Sequence, residues 1–328
     1  RAGKSPCGRS VLQFLRRATP PPRPRPLLTW RRRRTLLPWG LLAPGLAVLG
    51  GLLLYPLGRV LWLSVQDYGL DNILSGETDY NGLENYAELL SDGYLWRVAL
   101  PNTAVFAVVA VGTTVVFGTL VALLLASLRP LARTAVISCV MIAWAMPAVT
   151  GTYVWVWIFD VDRGIVRQGL ETAGVLGPEG LNWFADRLLF YGIVTLNIVH
   201  HGFPFVAVTV LAGLLTVPRE LYEAAVIDGA GAWQRFRHVT LPVLRPVFAV
   251  VTILSTIWDF KVFAQVFLMP GGDGANREVL NLGVWSYLQG IVQRDYGSGA
   301  AVAVLLTLLL LAITLVYLRS LFRDEELR

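Results

Sequence analysis

The sequence predicts an all-α membrane protein, a polytopic bundle of six transmembrane helices. Of its 328 residues, 55% are hydrophobic and 15% are charged, whereas a soluble domain carries about 25% charged residues. The mean hydropathy is +0.57. The apolar residues are concentrated in runs of about 20 or more, the length that crosses the hydrocarbon core of a bilayer. These observations exclude an ordinary soluble domain and predict a chain that crosses the membrane several times.

Six apolar runs are long enough to be spans, and we expect them at 36–65, 98–127, 131–159, 188–216, 246–269 and 299–319. The first run is too long for the apolar region of a cleavable signal peptide, and no small-residue cleavage site follows it. Pro44 and Pro56 lie within this run and predict kinks, which membrane helices tolerate.

A strongly basic tail precedes the first span. Residues 1–34 hold 11 Lys or Arg and no acidic residue. Such a tail can serve as a nucleic-acid-binding arm, but next to a membrane span it indicates a topology determinant that lies against anionic lipid. We therefore divide the chain into a cytoplasmic tail 1–35, expected to be disordered, and a transmembrane domain 36–328, with membrane lipid and no nucleic acid among its partners.

The distribution of basic residues predicts the orientation. With the N-terminus in the cytoplasm, the inside segments and their short flanks hold 20 Lys or Arg, whereas the outside segments 66–97, 160–187 and 270–298 hold 6. Cytoplasmic loops of membrane proteins carry an excess of Lys and Arg. We therefore expect a multi-pass protein of the bacterial cell membrane with both termini, and segment 217–245, in the cytoplasm.

The sequence offers no pattern for a metal site or a catalytic site. Cys7 and Cys139 are too few for a disulfide framework and lack the spacing of metal ligands. His200 and His201 are adjacent, so they point to different faces of a helix and cannot act as a paired metal site. We expect no catalytic residues and no bound metal.

A short match to a nucleotide-binding loop fails on its context. Gly3-Lys4-Ser5 is similar to the end of a phosphate-binding loop. That loop needs a further glycine five residues earlier, a preceding strand and a following helix, and Pro6 follows here. We therefore expect the chain to have no ATPase site and to bind no cofactor of its own.

Segment 217–245 is a polar loop between two apolar spans, and we call it the coupling loop. It contains Glu223-Ala224-Ala225, then Gly229 after three residues, then Val239-Thr240-Leu241-Pro242 after nine more. The two alanines let a partner approach the backbone closely, and Gly229 can adopt a positive φ and turn the chain after one short helix. Taken alone, Glu223 indicates a solvated helix charge; it gains another interpretation only from the spacing around it.

With this spacing the chain resembles the permease subunits of binding-protein-dependent ABC importers, in which this loop docks into a separate ATPase. The resemblance covers residues 36–322. Residues 80–103 are similar to the first outside loop and second span of sugar-importer permeases, and residues 269–300 resemble the MalF-like branch. Asp273 stands where that branch has a proline. The resemblance implies that the residues contacting the ATPase are Glu223, Ala224, Ala225, Asp228, Gly229, Leu241 and Pro242.

Polar residues inside the spans are the candidates for a substrate path, because such residues usually face a cavity or a partner helix. Trp258, Asp259 and Lys261 lie in the fifth span. Trp258 and Lys261 are three apart and share a helix face, whereas Asp259 and Lys261 do not. The resemblance adds Gly202 and Phe205 in the fourth span. Packing for Trp258 and snorkelling for Lys261 remain alternatives.

Four further polar residues are weaker candidates. Asn197 and His201 share a face of the fourth span, and Asn102 and Thr103 can simply bond neighbouring helices.

The resemblance implies a transport subunit rather than an enzyme. It implies a second homologous permease, two ATPase subunits that use ATP and Mg, an extracytoplasmic solute-binding protein and a carbohydrate substrate moved by alternating access. Two alternatives stay open: a permease of the same architecture for another solute, such as glycerol phosphate or a polyamine, and a membrane scaffold without transport.

Overall fold

The computed structural model describes residues 28–177 and 180–326, which are mostly helical. Two compact units make up the chain, Arg1–Leu57 and Gly58–Arg328. Most of the basic tail 1–35 lies outside the described residues, and from residue 28 onward the chain already belongs to the first helix.

The helices and strands follow one another in this order: α1 Leu28–Leu49, α2 Tyr55–Leu63, β1 Gln66–Asp67, α3 Leu70–Ser75, β2 Asp79–Tyr80, α4 Glu84–Ser91, α5 Leu100–Ser127, α6 Pro130–Trp144, α7 Ala148–Ile158, α8 Ile165–Thr172, α9 Arg187–Leu214, α10 Arg219–Ile227, α11 Ala232–Arg235, α12 Leu241–Val243, α13 Arg245–Phe260, α14 Ala264–Leu268, α15 Leu282–Tyr287 and α16 Tyr296–Glu326. A 3₁₀ turn covers Arg277–Val279.

Within the described ranges, five helical segments are long and apolar enough to cross a membrane, at Pro38–Leu63, Leu95–Ser127, Arg187–Leu214, Arg245–Leu268 and Tyr296–Arg319. The pair α6 and α7 supplies a sixth if it is counted as one span. The boundaries agree with the predicted ones to within three residues. The all-α, multi-pass prediction is therefore confirmed.

The third span departs from a regular helix. α6 and α7 meet at an angle of 91° across residues 145–147. Pro147 explains the break, because proline lacks an N–H donor and disfavours helical geometry in the residue before it. The predicted span 131–159 is thus two helices, with a corner inside the bundle.

Wide π-helical turns precede three of the prolines. Three π turns, Gly50–Leu54, Leu95–Ala99 and Phe236–Thr240, each end two residues before a proline, at Pro56, Pro101 and Pro242. A proline ring clashes with the carbonyl four residues earlier, and that carbonyl lies at the centre of each turn. The π turn, with its longer hydrogen-bond spacing, widens the helix there without breaking it. Pro44 lies inside α1 without interrupting it.

The core of the second unit forms where α9 packs along α5. Gly118 permits this approach, because a Cβ atom there would lie 2.6 Å from the Cβ of Val206. Small residues bring membrane helices into close contact in this way. Phe190, Val194 and Met269 lie among the fully buried side chains of the largest apolar cluster. The contact packs α5 and α9 closely side by side.

Buried amide side chains tie down the segments at the end of the bundle where α5 and α9 begin, which we call the loop end. Asn85 Nδ2 donates to Ser64 O at 3.1 Å and to Gln66 O at 2.8 Å. β1 pairs with β2 in an antiparallel register of Gln66 with Tyr80. Asn85 belongs to the 80–86 motif, and these two hydrogen bonds hold the chain that follows the first span.

Asn102 and Thr103 join helices, as the sequence predicts. Asn102 Nδ2 donates to Glu278 O at 2.9 Å and to Leu280 O at 2.8 Å. Thr103 Oγ1 accepts from Leu282 N at 2.9 Å. These bonds hold the segment around the 3₁₀ turn against α5.

Tyr94 closes the same contact from the other side. Its hydroxyl donates to Arg277 O at 2.6 Å, and the Arg277 guanidinium lies 4.9 Å from its ring centroid. Burial raises the pKa of Tyr94 to about 12, so the hydroxyl keeps its proton, and its donor role, at neutral pH.

Candidate functional site

A cavity of about 510 Å³ lies between α5, α9, α13 and the corner between α6 and α7. Its residues stand near the middle of their spans in the chain. Its polar side chains are those of Thr114, His201, Ser255, Asp259, Lys261 and Gln265. Its aromatic side chains are those of Trp144, Trp258 and Phe263. A space of this size, with apolar walls and a few polar groups, is typical of a small-molecule site.

The fifth span breaks at this cavity. α13 ends at Phe260, and residues 261–263 are irregular before α14 begins. The N–H of Lys261 bonds to Trp258 O at 3.1 Å, and the N–H of Val262 bonds to Asp259 O at 3.3 Å. The break changes the expected geometry: Asp259 and Lys261, predicted on different helix faces, both line the cavity because the helix ends between them.

Asp259 is the most constrained polar group of the cavity. Its side chain is 7% exposed, and its Oδ2 has no hydrogen-bond partner within the described chain. Buried polar atoms are almost always hydrogen-bonded, and burying a charge without a partner costs free energy. An unpaired carboxyl group here therefore indicates a site for something that binds.

Thr114, on α5, carries a second unpartnered oxygen, its Oγ1, which is also buried. Gly202, on the neighbouring helix α9, explains the orientation of the Thr114 side chain. A Cβ atom on Gly202 would lie 3.0 Å from Thr114 Cγ2 and 3.8 Å from Thr114 Oγ1. The threonine methyl group thus packs against Gly202, a residue of the predicted substrate path, and Gly202 leaves room for it.

Phe205 supports the cavity instead of lining it. Its ring meets Trp258 at a centroid distance of 5.0 Å with the planes inclined by 67°, and it is outside the lining. The five residues predicted for the substrate path therefore have two different positions. Phe205 positions Trp258, and the cavity is bordered by Gly202, Trp258, Asp259 and Lys261.

Several residues that line the cavity were not predicted from the sequence. Thr114, Trp144, Ser255 and Gln265 border the cavity, yet they lie in ordinary apolar runs. The one available signal was Pro147, because a proline inside a span marks a place where the helix can open. His201, a weaker candidate, also lines the cavity. Asn197, which was predicted on the same helix face, does not.

The coupling loop forms a helical hairpin at the opposite end of the bundle. α10 begins at Arg219, after Pro218, and ends at Ile227. Gly229 follows with φ +78°, the positive φ that its place in the motif predicts. Ala230 N bonds to Ala225 O at 2.8 Å and Gly229 N to Val226 O at 3.0 Å, which is the Schellman ending of a helix.

The two arms of the loop are tied together by side chains. Tyr222 OH and Thr240 Oγ1 share a hydrogen bond of 2.9 Å. Gly231 N donates to Gln234 Oε1 at 2.7 Å, which starts α11. The motif residues 223–229 therefore lie on the first arm of the hairpin. Leu241 and Pro242 lie on the return arm, where the chain enters the fifth span.

The hairpin presents apolar side chains outward. Ile227 is 87% exposed and Trp233 is 69% exposed. Glu223, Ala224 and Asp228 are exposed beside them. Ala224, Ala225, Asp228 and Gly229 also border a shallow depression on this surface. An exposed apolar patch with a polar rim is typical of a protein–protein contact.

Comparison with known proteins gives a consistent result. A family model described as "Binding-protein-dependent transport system inner membrane component" matches residues 114–323. The chain is 39% identical over 295 residues to the diacetylchitobiose uptake system permease protein DasB of Streptomyces coelicolor, covering 90% of this chain and 89% of the relative. It is 31% identical over 289 residues to the trehalose/maltose transport system permease protein MalF of Thermococcus litoralis, covering 88% and 94%.

The fold is also similar to a solved structure. A chain in the crystal structure of a bacterial ABC transporter involved in the import of the acidic polysaccharide alginate superposes with a TM-score of 0.74 at 19% identity, covering 90% of this chain and 98% of that chain.

Proposed function

Since the chain belongs to the family of inner membrane components of binding-protein-dependent transport systems, we propose that it is the permease subunit of a sugar importer, with the cavity as the place where the sugar crosses. The relatives named for diacetylchitobiose and for trehalose and maltose support a sugar as the substrate.

One observation carries the proposal: two spanning segments are interrupted, and both interruptions border the same cavity. The corner at 145–147 lies between Trp144 and Ala148, and the break at 261–263 includes Lys261. Irregular backbone at membrane depth is tolerated where it lines a cavity or is buried in protein. Transporters commonly form their substrate sites from such discontinuous helices.

The chemistry of the lining fits a sugar. Trp144 and Trp258 supply apolar ring surfaces, which can stack on the faces of a sugar ring. Thr114, Ser255 and Gln265 offer donors and acceptors, and Asp259 offers acceptors. Within the described residues, no hydrogen bond to another side chain or to the backbone engages the side chains of this polar set, so they are free to bind hydroxyl groups.

We place the coupling loop on the cytoplasmic side of the membrane, where it would contact the ATPase. The excess of Lys and Arg supports cytoplasmic termini and a cytoplasmic loop. The exposed Ile227 and Trp233, with Glu223 beside them, form a surface that would fit a groove on an ATPase subunit. ATP and Mg would be bound by that partner.

The proposed complex contains a second permease, two ATPase subunits and an extracytoplasmic solute-binding protein. Closure of the ATPase pair on ATP draws the coupling loops together and opens the cavity outward. The binding protein then releases sugar toward Trp258. Hydrolysis returns the bundle to its inward-open form, and membrane lipid surrounds it throughout.

The test is uptake by cells that carry the importer with or without this chain. The probes are radiolabelled N,N′-diacetylchitobiose, maltose, trehalose, glycerol phosphate and a polyamine. We expect uptake of at least one sugar to require the chain. Chain-dependent uptake of glycerol phosphate or the polyamine alone would replace the sugar by another solute. Unchanged uptake of every probe, with no ATPase recovered on the purified chain, would favour a scaffold.

A further inference from the structure

We propose that the cavity accepts uncharged sugars and excludes acidic ones, and that the buried carboxyl group of Asp259 sets this preference. The inference rests on the proposed function, since it concerns the sugar that the same cavity would hold. The fold alone leaves the charge open, because a transporter of an acidic polysaccharide shares it.

The two charged side chains that border the cavity, Asp259 and Lys261, differ in burial. Asp259 is buried, and within the described chain its Oδ2 has no partner. Lys261 is exposed and makes no ion pair with Asp259. Charges interact more strongly in a buried site than at an exposed one, where water and salt screen them. The most deeply buried ionisable group that borders the cavity is therefore the carboxyl group of Asp259, whereas Lys261, which borders the same cavity, is exposed, and His201 is the remaining titratable group of the lining.

The hydrogen-bonding capacity of the site favours donors on the ligand. A carboxylate offers acceptors alone, and Thr114 adds a hydroxyl oxygen that has no partner. The hydroxyl groups of a neutral sugar, or the N–H of an acetamido sugar, can donate to both. A carboxylate or sulfonate substituent has no proton to donate at neutral pH and brings a like charge next to the carboxylate of Asp259.

Thr114 and Asp259 act differently in this scheme. Thr114 contributes a hydrogen bond that neutral and acidic sugars can both use. Asp259 contributes a hydrogen bond and a repulsion, and the repulsion applies to the acidic sugar alone. Separate substitutions therefore distinguish general binding from charge selection.

The experiment measures equilibrium binding to the purified importer complex that contains the full chain, without ATP and without the solute-binding protein. The probes are N,N′-diacetylchitobiose, maltose and trehalose, each paired with its uronic acid, in which one CH₂OH group is a carboxylate. For the wild-type complex we expect the neutral member of a bound pair to bind at least tenfold more tightly than its acid.

Three variants locate the cause. In Asp259→Asn, which keeps the size of the side chain, we expect the ratio to fall below threefold. In Thr114→Val, which keeps the shape, we expect both members to bind more weakly and the ratio to persist. Asp162→Asn removes an exposed carboxylate outside the cavity, and we expect the wild-type ratio. Co-purification of the partner subunits reports folding in each case.

The opposite results are equally clear. If the wild-type complex binds the acid as tightly as the neutral sugar, or if Asp259→Asn keeps the tenfold ratio, this inference is wrong while sugar import stands. If neither member of any pair binds to the assembled complex, the proposed sugar site itself is wrong.

Discussion

Phe205 and Trp258 meet edge to face, with ring centroids 5.0 Å apart and planes inclined by 67°. Aromatic pairs of this geometry contribute about 0.5–1.5 kcal/mol beyond the burial of their surface. Phe205 lies on α9 and Trp258 on α13, so one helix holds the indole ring of the other at a fixed angle beside the cavity. The ring is a preset surface, which lowers the cost of ordering it when a sugar binds.

Replacing Trp258 by alanine should therefore reduce sugar uptake. A lost ring contact of ~1.4 kcal/mol corresponds to about a tenfold loss of affinity. We expect a similar direction, with a smaller effect, for Lys261→Ala, because that side chain is exposed. The measurement is initial uptake rate in matched membranes, with ATPase co-purification as the check of assembly.

Trp157→Ala is the matched control, since Trp157 is exposed and lies outside the cavity lining. Unchanged uptake in both cavity variants would assign Trp258 to helix packing and Lys261 to snorkelling.

The coupling loop should connect transport to ATP hydrolysis through Gly229. Its φ of +78° costs an ordinary side chain about 1–2 kcal/mol. We expect Gly229→Val to distort the end of α10, to lower sugar uptake and to release the ATPase or uncouple its hydrolysis. Gly231→Val is the control, because Gly231 has an ordinary φ of −67°. Equal transport by the two variants would show that the turn is not needed.

Glu223 should make a charge-assisted contact with the ATPase. Loss of one partner of such a buried pair costs about 2–5 kcal/mol, so we expect Glu223→Ala to weaken ATPase recovery and uptake together. Glu220→Ala, on the same exposed helix, should have little effect. Full ATPase retention and normal transport in Glu223→Ala would return this residue to a solvated helix charge.

Asn102 should stabilise the fold rather than the substrate. Its side chain makes two hydrogen bonds to backbone carbonyls and accepts one from Arg187 Nε at 2.6 Å. Asn102→Ala leaves buried polar groups without partners, which costs on the order of 1–3 kcal/mol. We expect a lower melting temperature in detergent. Thr113→Ala is the control, because Thr113 is exposed and bonds within its own helix; a melting temperature for Asn102→Ala equal to that of the control would contradict this role.

The orientation can be tested by cysteine labelling in a background lacking Cys7 and Cys139. Tyr80→Cys should react with a membrane-impermeant reagent from outside intact cells, because Tyr80 is exposed at the loop end. Ala230→Cys should react after the cells are opened. Labelling of both positions from outside would overturn the topology and the cytoplasmic place of the coupling loop.

The chain purified without ATPase subunits should not hydrolyse ATP. The prediction rests on the context of Gly3-Lys4-Ser5, because Pro6 follows where a phosphate-binding loop continues into a helix. The assay is phosphate release by the purified chain, with the assembled complex as the positive control. Turnover that follows this polypeptide through successive purification steps would contradict it.

The sequence predicted the features that repeat or that obey local rules. Span boundaries follow from apolar runs, and the turn at Gly229 follows from the need for a positive φ. The cavity was only partly predictable, because Thr114 and Trp144 reach it from helices that are distant in sequence. Lys261 borders the cavity beside Trp258, but not by the helical spacing that predicted a shared face, because the helix ends one residue before Lys261.

The wide turns before Pro56, Pro101 and Pro242 affect how this sequence aligns with related sequences that are one residue shorter in these segments. A π turn holds one residue more than the α-helical turn that it replaces, and each helical residue advances about 100° around the axis. Deleting one residue within Leu95–Ala99 would turn the wide turn into an ordinary α-helical one and leave Tyr94 facing Arg277, whereas the same deletion in a regular turn would rotate Tyr94 by about 100°. Alignment gaps of a single residue should therefore fall inside these wide turns, two to six residues before a proline.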